Sequence, residues 1–138
     1  MQKRDVLFSE EFENKIKKGV DTLADAVKIT MGPKGRLVLI QRQGHPTITK
    51  DGVTVANSIN LVDEVENLGA TVIREAASRT ADEAGDGTTT ATVLAQSIYT
   101  NGLKMKLAGF QPDLLNEGIK AAAEIVFKNL KKNKKIIK

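Results

Sequence analysis

The chain has 138 residues, of which 41% are apolar, 28% charged and only 4% aromatic, and its formal net charge is +4. This is the make-up of a soluble globular protein packed by aliphatic side chains, and no apolar run approaches the ~20 residues that a membrane helix needs. With no cysteine and one histidine, disulfides, thiolate metal sites and histidine clusters are excluded; the lack of cysteine fits an intracellular, cytoplasmic setting. Met1-Gln2-Lys3-Arg4-Asp5 leads into no apolar signal core, so no cleaved targeting segment is expected.

Taken in chain order, Arg4 to Phe8 reads as a short edge strand with Val6 and Phe8 on one face. Ser9 is placed to cap a first helix along which Phe12, Ile16, Val20, Leu23 and Val27 recur at helical spacing. Gly32-Pro33 stops it, since glycine tolerates a left-handed conformation and proline cannot continue a helix. Arg36 to Gln41 has strand length and β-branched content, and a turn around Gln43-Gly44-His45-Pro46 returns the chain through Thr47-Ile48-Thr49; a β-hairpin is predicted, with His45 solvated in its turn. Asp51-Gly52 is a common turn pair, and Val53 to Leu61 follows as a short helix.

Three longer helices are predicted after it. From Glu64 to Ala84, the residues Val65, Leu68, Val72, Ala76 and Thr80 trace an apolar stripe. From Thr88 to Gly109 the chain is apolar on most sides, including Val93, Leu94, Ile98, Leu103 and Leu107, which suggests a central helix. Pro112 suits the first turn of the last helix, whose buried face would be Leu115, Ile119, Ala122, Val126 and Leu130. Much of the positive charge lies between Lys128 and Lys135. Cations there complement the helix dipole, and no aromatic or arginine is interleaved to grip bases, so no specific nucleic-acid partner is expected. The fold class is mainly α, with a small β-hairpin and an N-terminal edge strand.

The most informative stretch is Gly85-Asp86-Gly87-Thr88-Thr89-Thr90. Glycines admit close approach of a ligand to the backbone, and the first turn of a helix offers unpaired N–H groups and a dipole that favours an anion. A carboxylate beside such an anion needs a cation between them, and Mg²⁺ with oxygen ligands is the usual one. The alternative is that Asp86 or Thr88 simply caps the helix. Capping needs one side chain, however, and each further threonine costs up to ~0.7 kcal/mol against alanine. The pattern is not that of a P-loop, which ends in Gly-Lys-Ser/Thr.

Two further turns complete a recognisable set. Thr30-Met31-Gly32-Pro33-Lys34-Gly35-Arg36, Thr47-Ile48-Thr49-Lys50-Asp51-Gly52-Val53 and Gly85 to Ala95 closely resemble, in order and spacing, the signature segments of the GroEL-type group I chaperonins. The likeness extends over essentially the whole chain, through Leu23-Ala24-Asp25-Ala26-Val27 and Glu66-Asn67-Leu68-Gly69-Ala70. It implies that residues 1–138 are the N-terminal half of an equatorial, ATP-binding domain, with the hinge, the apical domain and the C-terminal equatorial half lying elsewhere. By the same resemblance, the backbone of Thr30, Met31, Gly32 and Pro33 lies against the nucleotide, with Met31 where leucine is more usual. Lys50 stands beside the nucleotide too, and the carbonyls of Thr30 and Lys50 hold K⁺. Asp86 holds Mg²⁺, Gly87, Thr88, Thr89 and Thr90 bind phosphate, and Asp51 positions or activates the attacking water.

The turn Gln41 to His45 is shorter than is usual in that family. The resemblance implies an ATP-dependent chaperone acting on unfolded proteins, assembled in seven-membered rings, usually paired, and closed by a co-chaperonin lid. The 138-residue piece itself is expected to turn ATP over negligibly. A second reading keeps the helical scaffold as a non-catalytic interaction module.

Overall fold

The computed structural model describes residues 9–41 and 44–135; the strand expected at Arg4 to Phe8 lies outside them. Among the described residues there are five helices and two strands: α1 (Ser9–Lys28), β1 (Val38–Gln41), β2 (Pro46–Thr49), α2 (Gly52–Ser58), α3 (Glu64–Ala84), α4 (Thr88–Leu107) and α5 (Pro112–Asn133). No helix among them is long and apolar enough to cross a membrane. The chain divides into two compact units, Met1–Ile98 and Tyr99–Lys138.

The first unit is organised by α1 against α3. Val20, Leu23, Ala24 and Val27 of α1 are buried with Ala70, Ile73 and Ala77 of α3 and Val55 and Ala56 of α2. Two glycines set how closely α1 and α3 approach. A Cβ on Gly19 would fall 1.7 Å from the Glu66 carbonyl oxygen, and one on Gly69 would fall 2.1 Å from the Ile16 carbonyl oxygen. The helix backbones therefore touch, and this corrects the predicted stripe of α3. Leu68 and Val72 are 54% and 60% exposed, and the buried line is Gly69, Ala70, Ile73 and Ala77. Gly69, Ala70 and Ala77 leave the packed face lined mostly by small residues beside Ile73, and the missing side chain of Gly69 is what permits backbone contact.

Polar groups reinforce the crossing. Asp63 caps α3 by accepting from the amides of Val65 and Glu66 at 2.9 and 3.1 Å, and it also pairs with Lys15 of α1 at 2.7 Å. Lys18 pairs with Glu66 at 2.6 Å. The Lys15 ammonium, with the Glu66 and Val65 amides, holds the Asp63 carboxyl below its ordinary value, and Asp63 in turn raises Lys15. Arg74 donates to the carbonyls of Ala56, at 3.2 Å, and Ile59, supplying donors to the end of α2, whose last carbonyls have no intrahelical partner.

The hairpin forms as predicted, antiparallel with Leu39 opposite Ile48 and Ile40 opposite Thr47. Alternation places Ile40 in the core while Leu39 and Ile48 stay exposed; His45 is exposed, as expected. In α4 only Thr92 is buried, and in α5 no residue is, so the burial expected for Leu94, Ile98 and Leu107, and for the α5 face of Leu115, Ile119, Ala122, Val126 and Leu130, is not found among the described residues. Periodicity reports which face a helix can bury, and burial itself needs a partner surface. The second unit turns from α4 into α5 through Gly109, at φ 93°, with Phe110 N donating to Met105 O and Gly109 N to Lys106 O. This is the Schellman arrangement that satisfies terminal carbonyls.

Candidate functional site

Within the first unit, the three turns singled out by sequence come together at the start of α4. The first follows α1, where Thr30 and Met31 donate their amides to Val27 O and Lys28 O and the helix ends. Gly32, at φ 75°, then reverses the chain, closed by bonds from Gly35 N to Gly32 O and from Arg36 N to Ile29 O. Only glycine takes that conformation without strain. Thr30 is buried and donates its hydroxyl to Val27 O at 2.8 Å, while Met31, Gly32 and Pro33 are exposed. Gly35 lies so close to the Thr30 carbonyl that a Cβ there would stand 2.1 Å from the oxygen, so the turn has no room for a side chain at this position.

The second turn carries Lys50, exposed, and Asp51, which caps α2. Asp51 accepts from the Thr54 amide at 2.9 Å and from the Thr54 hydroxyl. The Thr54 hydroxyl, against the cost of burial and with help from the Thr54 and Val53 amides, holds the Asp51 carboxyl below its ordinary value. It is therefore an ionised acceptor at neutral pH and a weak base.

The third turn joins α3 to α4. Gly85 and Gly87 both have positive φ, 70° and 84°, and between them Asp86 is exposed, accepting from the Gly87 amide at 2.6 Å. Gly87 O accepts from Ala91 N at 2.9 Å, the first bond of α4, so the capping position belongs to Gly87 rather than to Asp86 or Thr88. The amides of Thr88, Thr89 and Thr90 form the first turn, which has no intrahelical acceptors. α2 and α3, in contrast, are capped by Asp51 and Asp63.

Contacts between the turns are direct. The hydroxyls of Thr30 and Thr89 are 3.5 Å apart, and buried Gly52 lies against the side chains of Thr88, Thr89 and Val27. Gln96, one face along α4, donates to Asp21 at 3.0 Å and Asp25 at 3.2 Å, tying α4 to α1. Burial disfavours the charged form of Asp21, but hydrogen bonds from Lys17 and Gln96 outweigh it and lower its pKa. Neither the Gln96 tie nor the seat at Gly52 was visible in the sequence, where nothing distinguishes Gln96 from a solvated helix residue.

No group of three or more His, Cys, Asp or Glu side chains placed to hold a metal occurs among the described residues. Mg²⁺ is commonly held by one or two carboxylates together with substrate phosphates rather than by a protein cage. The donors at hand are the Asp86 carboxylate and the threonine hydroxyls, all oxygen. An open depression of about 580 Å³ between the starts of α1 and α3 is lined by Glu10, Glu11, Asn14, Lys15, Lys18 and Glu66. None of these belongs to the three turns, and Lys15, Lys18 and Glu66 are engaged in the ion pairs of the helix crossing.

Helices in this order, with a hairpin inserted after the first and three glycine-containing turns gathered at one helix start, define a chaperonin fold. Residues 23–138 match the TCP-1/cpn60 chaperonin family, and the chain belongs to that family. It is also similar to the solved chaperonin gp146 from the bacteriophage EL 2 (Pseudomonas aeruginosa), in two crystal forms in the presence of ATP-BeFx. Identity is 36% and the TM-score 0.72 in both, over 89% and 90% of this chain and 22% of the phage protein. The chain thus spans about a fifth of the length of those relatives.

Proposed function

We propose that this chain carries the phosphate-binding part of the ATP site of a protein-folding chaperonin. The observation that carries the reading is the meeting of three turns, distant in sequence, around Thr89. Support comes from family membership and from relatives crystallised in the presence of an ATP analogue. The amides and hydroxyls of Thr88, Thr89 and Thr90 receive the polyphosphate, with Gly87 admitting it to the backbone. Asp86 holds Mg²⁺, which neutralises phosphate charge when bound. The carbonyls of Thr30 and Lys50 offer oxygen ligands to K⁺, and Met31, Gly32 and Pro33 line the nucleotide. Asp51, kept ionised by its cap, orients the attacking water by accepting its hydrogen bond; its low basicity favours positioning over proton abstraction. Phosphoryl transfer depends mainly on such positioning and charge neutralisation.

In a chain of the length of its relatives, these parts would drive folding of unfolded proteins in cytoplasmic rings, seven-membered and paired, closed by a co-chaperonin. Calorimetric titration with ATP tests the reading. Saturable binding that needs Mg²⁺ and is lost in Asp86→Ala supports it; equal binding without Mg²⁺ or in the variant contradicts it.

A further inference from the structure

Gly52 begins α2, directly after Lys50 and Asp51, and it is buried. Its φ is not positive, so the backbone does not need glycine, and alanine would favour a helix by about 1 kcal/mol. The position instead lacks room. A Cβ there would stand 2.5 Å from Thr89 Oγ1, 3.3 Å from Thr88 Oγ1 and 3.3 Å from Val27 Cγ1. The same Thr89 hydroxyl faces Thr30 at 3.5 Å, and the Thr30 hydroxyl returns to the Val27 carbonyl at 2.8 Å. Val27, Thr30, Gly52 and Thr89 therefore close a ring of contacts in which all three turns take part.

We propose that Gly52 is a positioning residue of the nucleotide site, its missing side chain seating the Thr89 hydroxyl so that the start of α4 is held against the turn of Lys50 and Asp51. The proposal rests on the nucleotide reading above. Thr89 is β-branched, with three staggered positions for its hydroxyl, methyl and hydrogen. A methyl at position 52 leaves two escapes. Thr89 turns its hydroxyl away and ends the contact with Thr30, or the two turns part by nearly an ångström, the shortfall from ordinary contact at 3.4 Å. Either one moves a phosphate-binding group, and misplacement on that scale costs on the order of 10²-fold in a positioned site.

The test combines a double-mutant cycle of Gly52→Ala and Thr89→Ala in the 138-residue chain with Mg·ATP titration and backbone amide shifts. In the nucleotide-free chain, Gly52→Ala should shift the amides of Thr88, Thr89 and Thr90 and destabilise, whereas in the Thr89→Ala background, where the colliding oxygen is gone, it should be neutral or stabilising. Mg·ATP affinity of Gly52→Ala, measured at full folded fraction, should fall tenfold or more. If Gly52→Ala alone does not fold, recovery of folding in the double variant upholds the seat. Additive stabilities in the cycle, or unmoved amides with undiminished affinity, overturn the proposal. Should the unsubstituted chain fail to bind Mg·ATP while the cycle remains non-additive, the nucleotide reading falls and the seating of Thr89 stands.

Discussion

Gly19→Ala sets two effects of opposite sign against each other. In an isolated helix the substitution stabilises by about 1 kcal/mol, because glycine loses more backbone freedom than alanine. In the folded chain the new Cβ meets the Glu66 carbonyl oxygen at 1.7 Å, its carbon at 2.6 Å and the Ala70 amide nitrogen at 3.1 Å. Ordinary contact begins at 3.4 Å, and the obstructing atoms are backbone, which cannot rotate aside. The helices must part, loosening Val20 and Leu23 against Ala70 and Ile73. Overpacking costs ~1–3 kcal/mol and occasionally more; contact between two backbones belongs at the upper end. The net loss is then about 2 kcal/mol, or ~7 °C in Tm at ~2.1 cal/mol/K of unfolding entropy per residue. Thermal and urea unfolding by circular dichroism measures it. Gly118→Ala in α5, where a Cβ meets nothing within 4 Å, is the control and should be neutral or stabilising. If Gly19→Ala matched or exceeded the unsubstituted stability, the close crossing of α1 and α3 would be wrong.

The two site carboxylates should separate in a chain as long as the relatives: Asp86→Ala weakens Mg·ATP binding and hydrolysis together, while Asp51→Ala leaves binding largely intact and slows single-turnover hydrolysis on the order of 10²-fold, the loss expected when the water is no longer positioned. Asp51→Ala should also lower stability by ~1 kcal/mol through loss of the α2 cap, seen as a lower urea midpoint. The folded pKa values of Asp51 and Asp63 lie below 3.8, so their contribution is fully present above that value and is lost as pH falls through the folded ones. Lys15, raised above 10.5, contributes fully below that pH and loses its part above it. Urea midpoints should thus be flat for these groups near neutrality and fall at both extremes, and Asp63→Asn should reduce the acid-side fall. The 138-residue chain should hydrolyse ATP negligibly, since nucleotide held by phosphates alone lacks the positioning that lowers the barrier; turnover that persists in a pure preparation but vanishes in Asp86→Ala would refute that.

Much of the architecture is legible in the residues. Ser9, Glu64, Thr88 and Pro112 mark helix starts that the structure reproduces, and the hairpin follows from its strand lengths and the Gly44 turn. The local code is strong there because caps, glycines and prolines act within a few residues of where they stand. Faces were less legible. The large residues of α3 pointed to Leu68 and Val72, whereas the packed line runs through Gly69 and Ala70, because a helix crossing decided by backbone contact selects small residues that a hydrophobic pattern underweights. In the site, the turn of Gly32 and the threonine start of α4 could be read from residue types. The role of Gly52 could not, since Asp-Gly reads as a flexible turn, and its real constraint, the side chain of Thr89, lies far along the sequence.

The central claim is that the three turns form one Mg²⁺-dependent phosphate site, and backbone amide shifts during titration with ATP test it most directly. With Mg²⁺ present, the amides of Thr30 to Gly32, Lys50 to Gly52 and Gly85 to Ala91 should move together along one saturating curve, and chelation of Mg²⁺ should return them. Shifts confined to the lysine-rich stretch from Lys128 to Lys135, indifferent to Mg²⁺ and fading with added salt, would show only polyanion attraction to a basic helix end and would contradict the account.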